Sequence, residues 1–541
     1  IEIRVADLLR AMPMVTSPFM RVKQHIDFWF VPYNNLWHGF NAFITSRNEP
    51  QSSTQKYQDY VPHFNLRALK QQIFSSSTSV VDVFGDHDSY VRNAYRLLDL
   101  LGYPTFNYYY FDDPDPSASP TQIYDDIDVN AWRLLAYQNI WYHEYRQKMY
   151  DTGGLGFTAG SPSSYATYWN VDFCDCSAYA TADILSQAGL TGLYSNGWAA
   201  AACQMRYRPW KKDLYTGLLP STQLGAVSFA SNTISGFGFD FAPQPGQSFS
   251  ANQTITSGGN SSSPTVNLKD SQNVTIGAYS VRSQQLSILT LRSAQALQIW
   301  RENALRAGNQ IEDNFEAHYG VRPKSHLNQH PVAIGSIDAS LNISDVVSTA
   351  DTATGTNGSL GDIAGKGISS LDGDKVLRFK TNDFGVVMGI FSLLPETEYN
   401  STGVDRPNQL LERFDYFAPE MENLGLEAVD SGTFTLNVAH QVTGYAPRYY
   451  AYKTIPDKAF MSFINDPNNT IQGIYRAWAS PKYDIAPNQY GSIPIGQLYV
   501  RPATFDVNFN VNTAISSQFI VDLFNNVSAV RPMSVTGMPS K

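Results

Sequence analysis

Residues 206–212 read Arg206, Tyr207, Arg208, Pro209, Trp210, Lys211 and Lys212, four positive charges interleaved with two aromatic rings. That pattern suits unpaired nucleic acid, because cations neutralise phosphate while rings stack on bases. Arg206, Arg208, Trp210, Lys211 and Lys212 are therefore the candidate DNA contacts. The competing reading is a basic turn lying in water or against an acidic neighbour. Aspartates form a second group, at Asp112, Asp113 and Asp115, at Asp125, Asp126 and Asp128, and at Asp372 and Asp374. Paired carboxylates can hydrolyse glycosides or hold calcium, but Asp beside Pro and Gly is also ordinary turn composition. The stretch from Asp112 to Ser117 lacks the glycine and terminal glutamate of an EF-hand loop, which leaves at most a single structural cation in such a loop.

Other chemistry finds no motif. Gly361 to Gly367 is one residue short of a phosphate loop and lacks the hydroxyl residue after Lys366. The nine histidines make no zinc-hydrolase pair, and no serine nucleophile elbow is present. His318, next to Tyr319 and Gly320, suits a helix end, where a cation meets the dipole. Cys174, Cys176 and Cys203 are too few for a disulfide framework, and Cys174 and Cys176 too close for a zinc knuckle, so they read as free thiols. No catalytic residue, cofactor or metal site is assigned, and the chain reads as non-enzymatic.

Composition narrows the classes. Of the 541 residues only 16% are charged, while Tyr (32) and Phe (30) are abundant and the net charge is −10. Such a chain is no electrostatic glove for nucleic acid, so any DNA contact is local. Amphipathic rings on a weakly charged surface gain most where one end is packed and the other wet, which is the condition of a protein with neighbours. Structural shell proteins and secreted carbohydrate-active proteins both have this composition. No stretch reaches the roughly 18 apolar residues that span a bilayer. No export leader opens the sequence, although it begins at Ile1 rather than at methionine, which leaves a preceding segment open.

The elements that must position these residues follow from periodicity. From Met20 to Phe28 apolar and polar residues alternate, with Gln24 the one misfit, and Phe28 to Val31 is wholly apolar before Pro32. A strand over about 20–31 is expected, half-buried first and then covered on both faces. Helical spacing marks 87–101, closed by Gly102 and Pro104, then 127–149 behind Asp125 and Asp126, and 284–319, closed by Gly320 and Pro323. Residues 221–275 are rich in Gly, Ser, Asn and Thr yet carry seven large apolar residues from Val227 to Phe249, which favours an ordered insertion over a linker. Residues 348–374 read as a second Gly-rich loop. Strand signals dominate from Lys375 to about 530: 376–379, 385–391, 433–438, 496–500 and 505–511. An N-terminal strand, helices and loops in the middle and a strand-rich C-terminal part imply a mainly β chain, an antiparallel jelly roll with large insertions. The apolar strand at 28–31 is expected to pair with 505–511 or 493–500.

Several motifs then point one way. Pro13, Pro18 and Met20 followed by the aromatic strand and by Val31-Pro-Tyr-Asn-Asn-Leu-Trp37 resemble the N-terminal strand of the major capsid protein of microviruses, small icosahedral single-stranded DNA phages. Asn130 to Arg146, with its Tyr137, Ile140, Trp141 and Tyr145, is similar to a helix of that family. Arg208 to Pro220, Ala317 to Pro323, Phe384 to Pro395, Gly444 to Lys453 and Asn526 to Met533 follow in the family's order. The loops 221–275 and 348–374 fall outside these motifs. The resemblance implies one subunit over 1–541 with an eight-stranded antiparallel viral jelly roll and long helix-containing insertions. It implies a closed homo-oligomeric icosahedral shell of about 60 copies around a circular single-stranded DNA genome, in a virion assembled in the bacterial cytoplasm. Partners implied are a small basic DNA-binding protein, which would supply the positive charge this acidic chain lacks, and a receptor at the host cell surface. In the gokushovirus-like branch the insertion after the Leu-Pro motif, here 221–275, forms a threefold protrusion. The rival class is a secreted jelly roll that binds or hydrolyses carbohydrate.

Overall fold

Two long strands turn a corner and fold one antiparallel sheet onto itself. In this computed structural model the described chain comprises 1–14, 21–40, 61–104, 127–147, 202–222, 288–307, 311–321, 330–347, 363–433, 442–459, 499–509 and 517–531, a few positions apart, and short strands between 156 and 281. The main strands are β1 (Glu2–Ala11), β2 (Val22–Pro32), β3 (Val332–Val347), β4 (Ile363–Arg378), β5 (Gly385–Pro395) and β6 (Phe519–Ser528), in the order β5-β2-β3-β4-β1-β6. β3 pairs with β2 through Val332–Leu341 and with β4 through Asn342–Val347, while β4 continues along β1 from Ile368 to Arg378. Strands that change sheets at such a corner build a sandwich. Ile3 and Val5 of β1 share a buried core with Ile26 and Phe28 of β2, Ile337 and Leu377, and Leu9, Val22 and Leu341 extend it. The halves approach closely at Gly335, where a Cβ would lie 2.8 Å from Leu377 Cδ2.

β1 shows why Gln24 breaks the alternation of β2. Ile3, Val5, Asp7, Leu9 and Ala11 all point into the sandwich. The Gln24 amide, also inward, donates from Nε2 to the Asp7 carboxylate, so the two buried polar groups share one hydrogen bond, while Asp7 Oδ1 and Gln24 Oε1 find no partner among the described residues. Burial pushes the Asp7 carboxyl above its usual value, and hydrogen bonds from Gln24 and the Leu371 backbone restrain the shift.

The larger core lies outside the sandwich, against the opposite face of β2. Helices α1 (Leu66–Phe74), α2 (His87–Leu100) and α3 (Trp132–Ile140) gather Phe64, Leu69, Ile73, Leu98, Leu134 and Ile140 there, together with Val31 and the partly buried Trp29. The expected double covering of 28–31 is therefore found: Phe28 enters the sandwich, while Trp29 and Val31 enter the helical layer. α2 matches its expected span. Asp86 caps it by accepting from Ser89 N–H (3.2 Å) and Oγ–H (2.9 Å), and Gly102 leaves it at φ 82°.

Several expectations need correction. The flanks of β2 are filled by β3 and β5. The described parts of 493–511 make only isolated bridges, Met14 to Phe509 and Pro209 to Tyr499. The helix expected over 127–149 starts at Trp132, because Asp128–Asn130 pair as a short strand with His63–Asn65. It ends in a π-helical turn, Trp141–Tyr145. Of the helix expected over 284–319, α4 (Ile288–Ala307) and α5 (Ile311–Tyr319) are helical, with 284–287 and 308–310 outside the described residues, and its stripe residues Leu297, Trp300 and Phe315 are exposed. The Gly-rich loop 348–374 is strand from Ile363 onward. Gly367 lies where a Cβ would come within 2.9 Å of Ala11 Cβ, and Gly373 takes φ 75° beside the register shift between Arg4 and Ala6. Residues 434–438 and 348–362 lie outside the described residues.

Residues 223–307 and 316–320 form a separate compact unit. Within it Phe239–Pro243, Thr254–Gly258, Thr265–Lys269 and Thr275–Val281 make a four-stranded antiparallel sheet, with the last strand between the first and third.

Candidate functional site

The basic run at 206–212 is divided by the fold into an inward and an outward half. Arg206 donates from Nε to Gln138 Oε1 (2.8 Å) and from its guanidinium to Gln204 Oε1 (3.0 Å), and lies 4.5 Å over the Trp141 ring. Arg208 donates to Asp27 Oδ2 (2.7 Å) and Ser392 Oγ (2.6 Å), over the Tyr145 ring at 4.9 Å. Tyr145 also donates to Asp27 (2.6 Å) and accepts from Trp29 Nε1 (3.1 Å). Burial, and then the Asp27 carboxylate, push the Tyr145 hydroxyl far up, which keeps it a donor. This network ties β2, β5 and the π turn to the 206–212 segment. Trp210 is buried with Ala11, Met14, Leu394, Val500 and Phe509. Three of the five candidate contacts are thus built into the subunit.

Lys211 and Lys212 are exposed. Asp213 fixes the turn that presents them, accepting from Tyr215 N–H (2.9 Å) and Thr216 N–H (2.7 Å), while Thr216 Oγ donates to the Lys211 carbonyl (3.0 Å). Two further cations join this face. Lys23 pairs with Glu396 at 2.6 Å, and Arg21 pairs with Glu396 at 3.1 Å and with Asp457 at 2.9 Å. The hydrogen bond from Lys23 holds the Glu396 carboxyl below its usual value, helped by the charges of Arg21, Lys23 and Lys211. Three cations, Arg21, Lys23 and Lys211, therefore gather about the Glu396 carboxylate on solvent-facing ground, and Arg21 also reaches Asp457. Arg21 and Lys23 were missed as site residues, although the alternation of β2 had already placed both on its polar face.

Beside this face lies a cleft of about 570 Å³, lined among others by Arg92, Arg96, Arg501, Phe84, Tyr207 and Asp82. Asp82 accepts from the Phe84 and Asp86 amides (2.9 and 3.0 Å) and from Tyr207 (2.9 Å). Burial nevertheless raises its carboxyl above the usual range. Arg501 stands 5.4 Å from the Phe84 ring centre. Among the described residues no three His, Cys, Asp or Glu side chains stand where they would hold a metal. Asp112, Asp113, Asp115, Asp125, Asp126, Cys174 and Cys176 lie outside the described residues, while Asp128 accepts from Asn65 on a short strand (3.2 Å). Cys203 is buried, which pushes its thiol up and keeps it protonated. No described helix is long and apolar enough to cross a membrane.

A different surface carries ordered apolar side chains in water. Three 3-10 turns, Arg406–Gln409, Arg413–Asp415 and Pro419–Met421, present Leu411, Phe414, Tyr416 and Phe417. Asp415 accepts from the Leu411 and Glu412 amides (3.0 and 2.9 Å), and Phe417 packs edge-on to Tyr449 at 5.3 Å. Rings held in place yet exposed are candidates for contact with a neighbour.

A family model described as "Capsid protein (F protein)" matches residues 81–541. The capsid protein VP1 of Chlamydia phage 1 is 22% identical over 580 residues, covering 98% of this chain and 89% of that protein.

Proposed function

The chain belongs to the capsid protein (F protein) family, and from that premise we propose that its copies close into an icosahedral shell around a circular single-stranded DNA genome. It is a structural major capsid protein of a microvirus and a component of the virion, assembled as a multi-copy shell. The observation that carries the closed-shell reading is the ordered apolar surface one subunit leaves in water, from Leu411 to Phe417 and along β6. Contacts that are each weak sum over a closed symmetric particle of about 60 copies. Assembly takes place in the bacterial cytoplasm, and a host surface receptor is met from outside. The four-stranded unit within 223–307 is the candidate threefold protrusion.

Within that reading, Lys211 and Lys212, joined by Arg21 and Lys23, form the polyanion-facing patch, while Arg206, Arg208 and Trp210 position it. At a net charge of −10 the chain leaves most genome phosphate to a small basic DNA-binding partner. Nuclease-resistant single-stranded DNA inside purified particles tests the function. Lys211→Glu with Lys212→Glu is expected to lower DNA per particle without lowering particle yield. Unchanged DNA content removes these lysines from the account.

A further inference from the structure

β6 is an edge. It pairs with β1 through ten consecutive residues, from Phe519 opposite Ala11 to Ser528 opposite Glu2, and among the described residues no strand pairs with its other side. A free edge of that length is a template for one more strand. Val521, Leu523 and Val527 stand opposite Leu9, Asp7 and Ile3, the inward face of β1, yet they are 36%, 39% and 55% exposed. On the reverse face Ile520 is 57% and Phe524 67% exposed. The strand carries exposed apolar side chains on both faces, and its one charge is Asp522.

We propose that β6 pairs antiparallel with β6 of a second copy of this chain across a two-fold axis, joining two main sheets edge to edge. This rests on the reading of the chain as a shell subunit and names one contact of that shell. The sequence of the strand chooses the register. With the axis at Phe524, the two Phe524 rings meet, Val521 faces Val527 of the second copy, and Asp522 faces Asn526, whose amide can donate to it. An axis at Leu523 sets Asp522 against a Phe524 ring, and one at Asp522 sets two carboxylates face to face. A strongly basic partner would find a single carboxylate on this strand, so charge favours a second β6.

Cysteine cross-linking in particles of the full-length chain, with Cys174 and Cys176 replaced by Ser, reads the register directly. Phe524→Cys is expected to convert most chains into a disulfide dimer on oxidation. Ile520→Cys alone is expected to give none, since the two copies would lie about 27 Å apart along the strand. Ile520→Cys combined with Ser528→Cys restores the dimer. Particles in which F524C stays monomeric, or in which I520C alone cross-links as readily, overturn the pairing and leave the shell reading standing. An unmutated chain that forms no particle brings down the shell reading and the pairing together. All three cysteines replace exposed side chains, so the variant subunits are expected to melt with the parent.

Discussion

β2 and β6 lie in the same sheet and meet opposite fates. Every face of β2 over 28–31 touches protein, with Phe28 in the sandwich and Trp29 and Val31 in the helical layer, and strands flank it on both sides. Among the described residues β6 has one strand neighbour, and it carries apolar side chains into water on both faces. Among the described residues the subunit closes around β2 by its own means and leaves the outer edge of β6 open. A chain that folds alone but finishes its surface only with copies of itself separates stability from assembly, and substitutions at the two places should fail in different ways.

The largest effect is expected for Trp29→Asp, which puts a charge beside Asp27 and Tyr145 between two covered layers. A loss of more than about 4 kcal/mol is expected, enough to unfold the subunit; a cooperative melt close to the parent's would mean that 28–31 is not enclosed. Arg208→Ala removes the partner of Asp27, a carboxylate whose side chain is only 12% exposed, and should cost about 3 kcal/mol in denaturant unfolding. Asp7→Asn goes the other way. Burial holds the Asp7 carboxyl above its unfolded value of 3.8, so the stability this group contributes is full below that pH and is lost as pH rises through the folded value. The neutral amide escapes that loss, so D7N should gain stability at pH 7 and match the parent below pH 3.8. Phe524→Lys sharpens the contrast from the other side: subunit stability within about 0.5 kcal/mol of the parent, with particle yield lost in sedimentation.

What was legible in the sequence divides along the same line. β2, α2 and β5 were readable because each has a covered face and a distinct end, such as Pro32, or Asp86 and Gly102. β1 hides its alternation behind Asp7, whose burial depends on Gln24 in another strand. β3 carries Gly335 and changes sheets midway, and β4 carries the glycines that close approach requires. β6 shows no clean alternation because, beyond Phe519, which packs against the cores holding Leu9 and Phe509, the described residues leave both of its faces exposed. At the site, charge was legible and its destination was not. Arg208 finds Asp27 across 181 residues and Arg206 finds Gln138 across 68, so the chain around 206–212 cannot reveal which cations stay free. The lysines stay outside because Asp213 turns the chain there.

A lone folded subunit of this chain is one piece of a multi-copy shell. Light scattering on the unmutated full-length chain, across concentration and ionic strength, tests it most directly. A single closed particle of megadalton mass is expected; a stable monomer of 60.2 kDa under every condition would rule out self-assembly.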